Sequence, residues 1–378
     1  MEKKSELMII PRGLTWIGVS DIGGNLISVT FWFYLASLLN PASYGEIFYF
    51  LGIAGIAAYL SSIGTQNTII VYVAKKIKLQ TTFYLISLSL ALISSIIVSV
   101  IFSRIDISFL IFGYVINTLV ISELLGKKDF KKYSFYILIQ KGLTLGLGLG
   151  FYFIFGFDYI LYALALSYIF LTIVIFQEFK NQKIDFNLLK TKIGFVSNNY
   201  IMNITGSLNG QIDKLIIAPI LGYTILGNYS LALQITIILV LFPSMVYKFT
   251  LSHDATNEQN NKLKKFTLFL TVGLVILTIC LSPIVIPFFF PEYEEVILGV
   301  QIMSLEAIPG TLVYFQMSRL LGQEKSKLVI IAKSCGVLIL TSGMIVLGYS
   351  FGMIGLATSL VISSTVQCVM LYLLKNRI

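Results

Sequence analysis

Asp21, Asn25, Ser28 and Trp32 follow one another at steps of four, three and four, so a helix through them carries one polar face. A second stripe, Asn199, Asn203, Gly206, Gly210 and Asp213, keeps the same rhythm and ends beside Lys214. Lys141 and Lys333 each stand about one to two turns inside an apolar run. Glu123 and Arg319 occupy matching places in two similar stretches, SELLG and SRLLG. Amides and hydroxyls can bind neutral polar groups, ammonium and guanidinium suit phosphate or acidic sugars, and an isolated carboxylate can relay a proton or a sodium ion. Structural readings compete with these. Asn, Ser and Gly also glue apolar helices together, lysines near helix ends snorkel, and the Glu123 and Arg319 charges are also accounted for as helix-end charges. If Glu123 and Arg319 serve the site, they are expected to approach one another.

The elements that position these groups are apolar. The chain has 378 residues, 57% hydrophobic and only 12% charged, against about 25% charged in soluble domains, and its mean hydropathy is +0.88. It is expected to be an all-α polytopic membrane protein. At ~20 residues per span, about twelve spans fit, roughly 14–38, 44–73, 82–103, 107–125, 134–156, 159–177, 195–221, 225–249, 266–290, 295–320, 328–348 and 353–374. A β-barrel is excluded by runs such as Tyr84 to Phe102, apolar on every face. The N-terminus leads into a full-length span without a small-residue cleavage site, so the first span is expected to stay in the membrane. Gly142 to Gly150, and Pro243, Pro283, Pro287 and Pro309, predict close-packed or kinked helices. His253 is the only histidine, and Cys280, Cys335 and Cys368 have no metal-type spacing, so neither a metal site nor a disulfide framework is expected.

Lysine and arginine set the orientation. They cluster before span 1 (Lys3, Lys4, Arg12), after the even-numbered spans (Lys75, Lys76, Lys78; Lys127, Lys128, Lys131, Lys132; Lys180, Lys183, Lys190, Lys192) and at Lys375 and Arg377, while the intervening loops carry Arg104 and the acidic PEYEE at Pro291 to Glu295. Both termini are therefore expected to be cytoplasmic, in a multi-pass protein of the plasma (inner) membrane. The net charge of +9 is scattered over short loops, which excludes a nucleic-acid stripe.

The chain is written twice. DIGGNL at Asp21 returns as NITGSL at Asn203, and ASLLNPASYG at Ala36 returns in register as APILGYTILG at Ala218. At a second offset Ser122, Leu124, Leu125 and Gly126 match Ser318, Leu320, Leu321 and Gly322, and Phe155-Gly156 match Phe351-Gly352. Each copy holds an even number of spans, so the repeats are parallel. The expected organisation is an N-terminal lobe at 1–178, a cytoplasmic linker at 179–193 with a short interfacial piece, and a C-terminal lobe at 194–378. The stripes of spans 1 and 7 would face each other across a central cleft.

SLLNPASYGEIFYF with SSIGTQNTIIVYVAKK resembles the first-repeat signature of the multidrug/oligosaccharidyl-lipid/polysaccharide (MOP) superfamily, in its polysaccharide transporter and O-antigen flippase branch. GQIDKLIIAPILGYTILGNYSLA, PEYEEVILGVQIMSLEAIP and YSFGMIGLATSLV extend the resemblance over most of the chain. The resemblance implies a V-shaped transporter of about twelve helices in two parallel six-helix repeats. It also implies flipping of a lipid-linked oligosaccharide, a polysaccharide repeat unit, from the cytoplasmic to the outer leaflet by alternating access. On that reading Asn25, Lys141, Asn199, Asn203, Lys214, Arg319 and Lys333 bind substrate, and Asp21 and Asp213 couple transport to protons or sodium, with no other cofactor. The implied partners are a polyprenyl-phosphate-linked glycan, membrane lipids and other polysaccharide-assembly membrane proteins. A cation-coupled multidrug antiporter of the same superfamily is the alternative. A glycan polymerase or ligase is disfavoured, because such chemistry wants a sizeable outer loop with acid, base or arginine groups, whereas the outer loops here are only a few residues long with Arg104 and PEYEE as their charged content.

Overall fold

The computed structural model describes residues 12–255, 260–293, 295–323 and 325–376, and side chains at 12–14, 181, 198, 201–209, 248, 252–255, 322, 326 and 375–376 lie outside the description. The calls on Asn203, Gly206 and His253, and on Lys3 and Lys4, therefore fall outside the described residues.

Helices account for nearly all of the described chain. They are α1 (Arg12–Leu38), α2 (Pro41–Ser61), α3 (Thr65–Ala74), α4 (Gln80–Phe102), α5 (Ile105–Gly126), α6 (Phe130–Phe155), α7 (Ile160–Leu166) and α8 (Thr172–Asn181). There follow α9 (Phe186–Lys190), α10 (Ile193–Ala255), α11 (Asn261–Phe289), α12 (Val296–Ser304), α13 (Ala307–Gly322) and α14 (Ser326–Asn376). Among the described residues nine stretches are long and apolar enough to cross a membrane. Two of them, Gly210–Leu251 and Lys327–Leu374, are twice the needed length. Each folds back at a glycine with non-helical dihedrals, Gly222 (φ 86°) and Gly352 (φ 56°). In α14 the return is direct: a Cβ on Gly343 would lie 2.8 Å from the Ser359 hydroxyl, and Ser363 donates to the Gly336 carbonyl at 2.7 Å. Gly156, the repeat partner of Gly352, also takes positive φ (91°) and opens the segment at 157–159. Residues such as Val100, Ile101, Phe269, Phe288 and Leu338 are broadly exposed, a surface suited to lipid and not to water. This is an all-α, multi-pass membrane protein.

Helices α6, α9 and α11 start at polar caps. Asp129 accepts from the Lys132 amide, Asp185 from Leu188 and Asn260 from Leu263, satisfying amides that have no intrahelical partner.

Three expected spans are broken. Residues 44–73 divide at 62–64, where Ile63 and Gly64 take φ of 42° and 65°. Gly64 then lies so close to α10 that a Cβ would sit 2.5 Å from the Tyr200 nitrogen. Residues 159–177 tighten to a 3₁₀ turn at Ile169–Leu171. Just before it the buried Ser167 hydroxyl bonds the Leu164 carbonyl at 2.6 Å, a local bond that competes with the helical ladder. Residues 295–320 divide between Ser304 and Ala307, because Pro309 has no N–H to offer the Leu305 carbonyl. Pro219, Pro243, Pro283 and Pro287 are carried inside α10 and α11, their freed carbonyls tolerated within apolar bundles.

The chain forms two compact units, one running to Trp32 and from Phe50 to Leu208, the other comprising Phe33–Tyr49 and the chain from Asn209 onward. In the first, Phe31 packs where a Cβ on Gly148 would stand, 2.5 Å from its ring. There too Gly126 sits against Val73 and the Ile70 carbonyl. In the second, the repeat-related glycines meet each other. A Cβ on Gly45 would lie 2.0 Å from the Tyr223 carbonyl, and one on Gly227 would lie 1.8 Å from the Pro41 carbonyl. Pro41 and Tyr223 are themselves repeat partners, so the contact is reciprocal, as a two-fold contact requires. Tyr293 closes this unit, its buried hydroxyl donating to the Leu39 carbonyl at 2.9 Å. Burial raises its pKa, and Glu292 adds to the rise.

Candidate functional site

In the first unit α1 and α6 meet through small residues. A Cβ on Gly23 would stand 3.1 Å from Leu138, and one on Gly24 would stand 3.3 Å from Ile137 and 3.5 Å from the Lys141 side chain. Lys141 therefore lays its stem along α1, on the stretch that carries Asp21 and Asn25. Asp21 is half-buried and within electrostatic reach of Tyr133, two turns before Lys141 on α6. Asn25 is exposed, and Lys141, half-buried, makes no hydrogen bond or ion pair among the described residues. The structure thus gathers Asp21, Tyr133 and Lys141 around one helix seam. Tyr133 was not singled out in the sequence.

Behind this seam lies a neutral network in which Gln140 donates to Thr144 at 2.8 Å and to Ser167 at 3.1 Å. All three are buried, and their pairing satisfies polar groups that would otherwise be costly.

The α10 stripe behaves less uniformly. Asn199 is buried and donates to the Phe195 carbonyl of its own helix at 2.9 Å, the behaviour of a packing residue. Asp213 and Lys214 are 6% and 8% exposed. Lys214 does not snorkel; its ammonium curls back to the Gly210 carbonyl at 3.0 Å and Gln211 at 2.8 Å. Asp213 accepts the Lys214 amide at 2.9 Å, and the Tyr229 hydroxyl is within electrostatic reach of its carboxylate. Tyr229 lies beyond the Gly222 turn, so the two arms of α10 meet near Asp213.

The second unit also holds a polar cavity of about 230 Å³, lined by Glu306, Gly310, Tyr314, Lys333, Ser364 and Gln367 among others. Glu306 sits in the break between α12 and α13 and accepts from the Ser364 hydroxyl at 2.7 Å. Gly310, one turn on, leaves the space into which the carboxylate leans, 2.8 Å from where a Cβ would be. Lys333 has no partner among the described residues. Two larger cavities, of about 430 and 420 Å³, are lined almost wholly by apolar side chains. Arg319, on α13, has a buried Nε without a partner.

Glu123 is engaged within its own unit. It is 1% exposed, accepts from Tyr84 and pairs with Lys127, and Lys127 also pairs with Glu178 at 2.5 Å. Burial alone would lower the Lys127 pKa, but the two carboxylates outweigh it and raise it. Thr81 donates to the Lys183 carbonyl and Thr82 accepts the Asp185 amide, so the segment before α9 is pinned beside this cluster. Glu306, Tyr229 and Glu178 were also passed over in the sequence. The signal for Glu306 was available in a charge at the end of the run Val296 to Leu305, eleven residues after Glu295 and three before Pro309, but its partner Ser364 is 58 residues away.

The two units are bundles of apolar helices, each holding buried charged groups. No protein-family model matches the sequence, and curated proteins give no match. Solved structures do. A MATE family multidrug resistance transporter of the MOP superfamily, inward-facing, aligns over 94% of both chains with a TM-score of 0.71 at 15% identity. The lipid II flippase MurJ, inward closed, aligns over 97% of this chain and 87% of its own, with a TM-score of 0.72 at 16% identity. A MATE in complex with MaL6 aligns over 97% and 96%, with a TM-score of 0.61. The chain has the MATE- and MurJ-like fold.

Proposed function

We propose that this chain is a transporter that moves a lipid-linked oligosaccharide from the cytoplasmic to the outer leaflet by alternating access, with the two sequence copies as its lobes and both termini cytoplasmic. The observation that carries this reading is a pair of lysines without a partner among the described residues, Lys141 and Lys333, on equivalent spans of the two copies. A central lysine costs about 2.5–3.5 kcal/mol on insertion scales, and a diphosphate passing along the lobes would offset that cost. Asn25 and Asn203 supply neutral partners for sugar hydroxyls, Arg319 a further cation. Asp21, beside Tyr133, and Asp213, beside Tyr229, are the ion-coupling carboxylates, for protons or sodium. The flippase neighbour supports a lipid-linked substrate, and the polysaccharide repeat unit is the substrate the sequence resemblance favours. The test is reconstitution into vesicles loaded with an undecaprenyl-diphosphate oligosaccharide, reading glycan exposure with a membrane-impermeant glycosidase. Exposure should be fast, and at least tenfold slower with Lys141→Met and Lys333→Met together; exposure no faster than in protein-free vesicles defeats the reading.

A cation-coupled multidrug antiporter is the second reading, favoured by the MATE neighbours and by the buried carboxylate Asp213. Gradient-driven efflux of a lipophilic cation from the same vesicles, without glycan exposure, would select it.

A further inference from the structure

Glu306 and Lys333 line one small cavity, yet no ion pair joins them, and Lys333 has no partner at all among the described residues. Opposite charges in a low-dielectric space attract strongly, so leaving them apart is costly unless a ligand or water stands between. The cavity differs from its neighbours in chemistry and size. At about 230 Å³ it falls below the ~300–1,000 Å³ typical of pockets for drug-sized molecules. It has room for one ring with a small charged substituent.

We infer that this cavity binds the glycosyl-phosphate portion of the substrate, Lys333 holding the phosphate and Glu306 the ring hydroxyls. The inference rests on the flippase reading and gives it a location in the second unit. Each wall has a matching role. The Lys333 ammonium has three free donors and meets phosphate oxygens by charge-assisted bonds. Glu306 uses one oxygen for Ser364 and keeps acceptor capacity for hydroxyls, which an ionised carboxylate can take only as acceptor. Gln367 adds an amide, and Tyr314, packed against Tyr247 in a tilted pair with ring centroids 5.4 Å apart, presents a fixed aromatic wall to the sugar. Gly310 is required here because a side chain would displace the carboxylate. A lipophilic cation would find the same carboxylate but would have to lie against the Lys333 ammonium, so the cavity discriminates against it.

The test uses the full-length protein in detergent and calorimetric titration with glucose 1-phosphate, glucose and inorganic phosphate. Glucose 1-phosphate should bind at least tenfold more tightly than either half. Lys333→Met should weaken glucose 1-phosphate by at least tenfold and leave glucose unchanged, Lys333→Arg should retain most of the affinity, and Glu306→Gln should weaken both sugars without weakening inorganic phosphate. Equal binding by wild type and Lys333→Met, or Glu306-dependent binding of tetraphenylphosphonium in place of the sugar phosphate, overturns the inference. Should Lys333→Met misfold, the Glu306→Gln and Lys333→Arg titrations decide it. The vesicle assay separates the two claims. Wild type and Lys333→Met exposing glycan at equal rates would remove the cavity's role and keep the flippase. A wild type that binds glucose 1-phosphate through Lys333 but exposes no glycan would do the reverse.

Discussion

Replacing Gly45 or Gly227 by alanine tests the reciprocal contact between the two sequence copies. A methyl on Gly227 would lie 1.8 Å from the Pro41 carbonyl oxygen, and one on Gly45 would lie 2.0 Å from the Tyr223 oxygen and 2.7 Å from the Gly227 nitrogen. The obstructing atoms are backbone, so no side-chain rotation relieves the clash. Restoring van der Waals contact requires α2 and the second arm of α10 to part by roughly 1.5 Å, in an interior with few voids to absorb it. Overpacking of this kind costs about 1–3 kcal/mol. Either alanine opens the same seam, so the second should add little: the double variant should cost at least ~1 kcal/mol less than the two single costs together. Reversible unfolding in mixed detergent and SDS micelles measures all three. Gly146, on α6, provides the control. A Cβ there meets nothing within 4 Å, so Gly146→Ala should be neutral or stabilise by up to about 1 kcal/mol through helix propensity. Single costs below ~0.5 kcal/mol, or strictly additive costs, would mean that the backbones do not touch as described.

Gly310→Ala should leave the fold intact and slow transport severalfold, because the methyl would meet the Glu306 carboxylate at 2.8 Å; glycan exposure in vesicles reads it, and an unchanged rate removes Gly310 from the site. Asp21→Asn should abolish the dependence of transport on a proton or sodium gradient, and persistence of that dependence would reassign the coupling. Lys127→Met should destabilise by about 1–3 kcal/mol, discounted from the full buried-pair value because Lys127 is partly exposed, and Glu178→Gln added to it should restore part of the loss. Since the Lys127 pKa is raised in the folded protein, its contribution is complete below the ordinary lysine pKa of about 10.4 and is lost as pH rises through the folded value. Unfolding measured across alkaline pH should show that loss in wild type and not in Lys127→Met.

Much of the architecture was legible in the sequence because the membrane imposes a simple rule, a long apolar run for each crossing. The duplication was legible where symmetry needs glycine. Gly45 and Gly227 are matched in sequence and touch in space, and Gly156 and Gly352 are matched in sequence and both take positive φ. The α2–α3 break was not legible. Ile63 adopts positive φ, which an isoleucine disfavours, and only the closeness of Gly64 to α10 makes sense of it. Nor could periodicity separate the members of the α10 stripe. Asn199 and Asp213 share a face, yet Asn199 spends its amide on its own helix while Asp213 lies within electrostatic reach of a tyrosine from the returning arm.

Glu306 shows most clearly why a site can hide in a span. Its charge reads as one more residue in an apolar run, and Pro309 reads as a kink. Together they do something neither does alone. The proline has no N–H for the Leu305 carbonyl, which takes the Ile308 amide at 3.2 Å in a tighter turn instead; that break turns Glu306 into the first residue before α13, and Gly310 clears the space beside it. Ser364 and Lys333, both on α14, then complete the cavity. Restoring the helix therefore tests the logic independently of any ligand. Pro309→Ala should let the amide at 309 bond to Leu305, remove the break and carry the Glu306 carboxylate away from Ser364. Stability should change by less than ~1 kcal/mol, as the gained hydrogen bond offsets the lost one, while glucose 1-phosphate binding should fall to the level of Glu306→Gln. Wild-type binding in a Pro309→Ala protein would show that the break does not position the carboxylate.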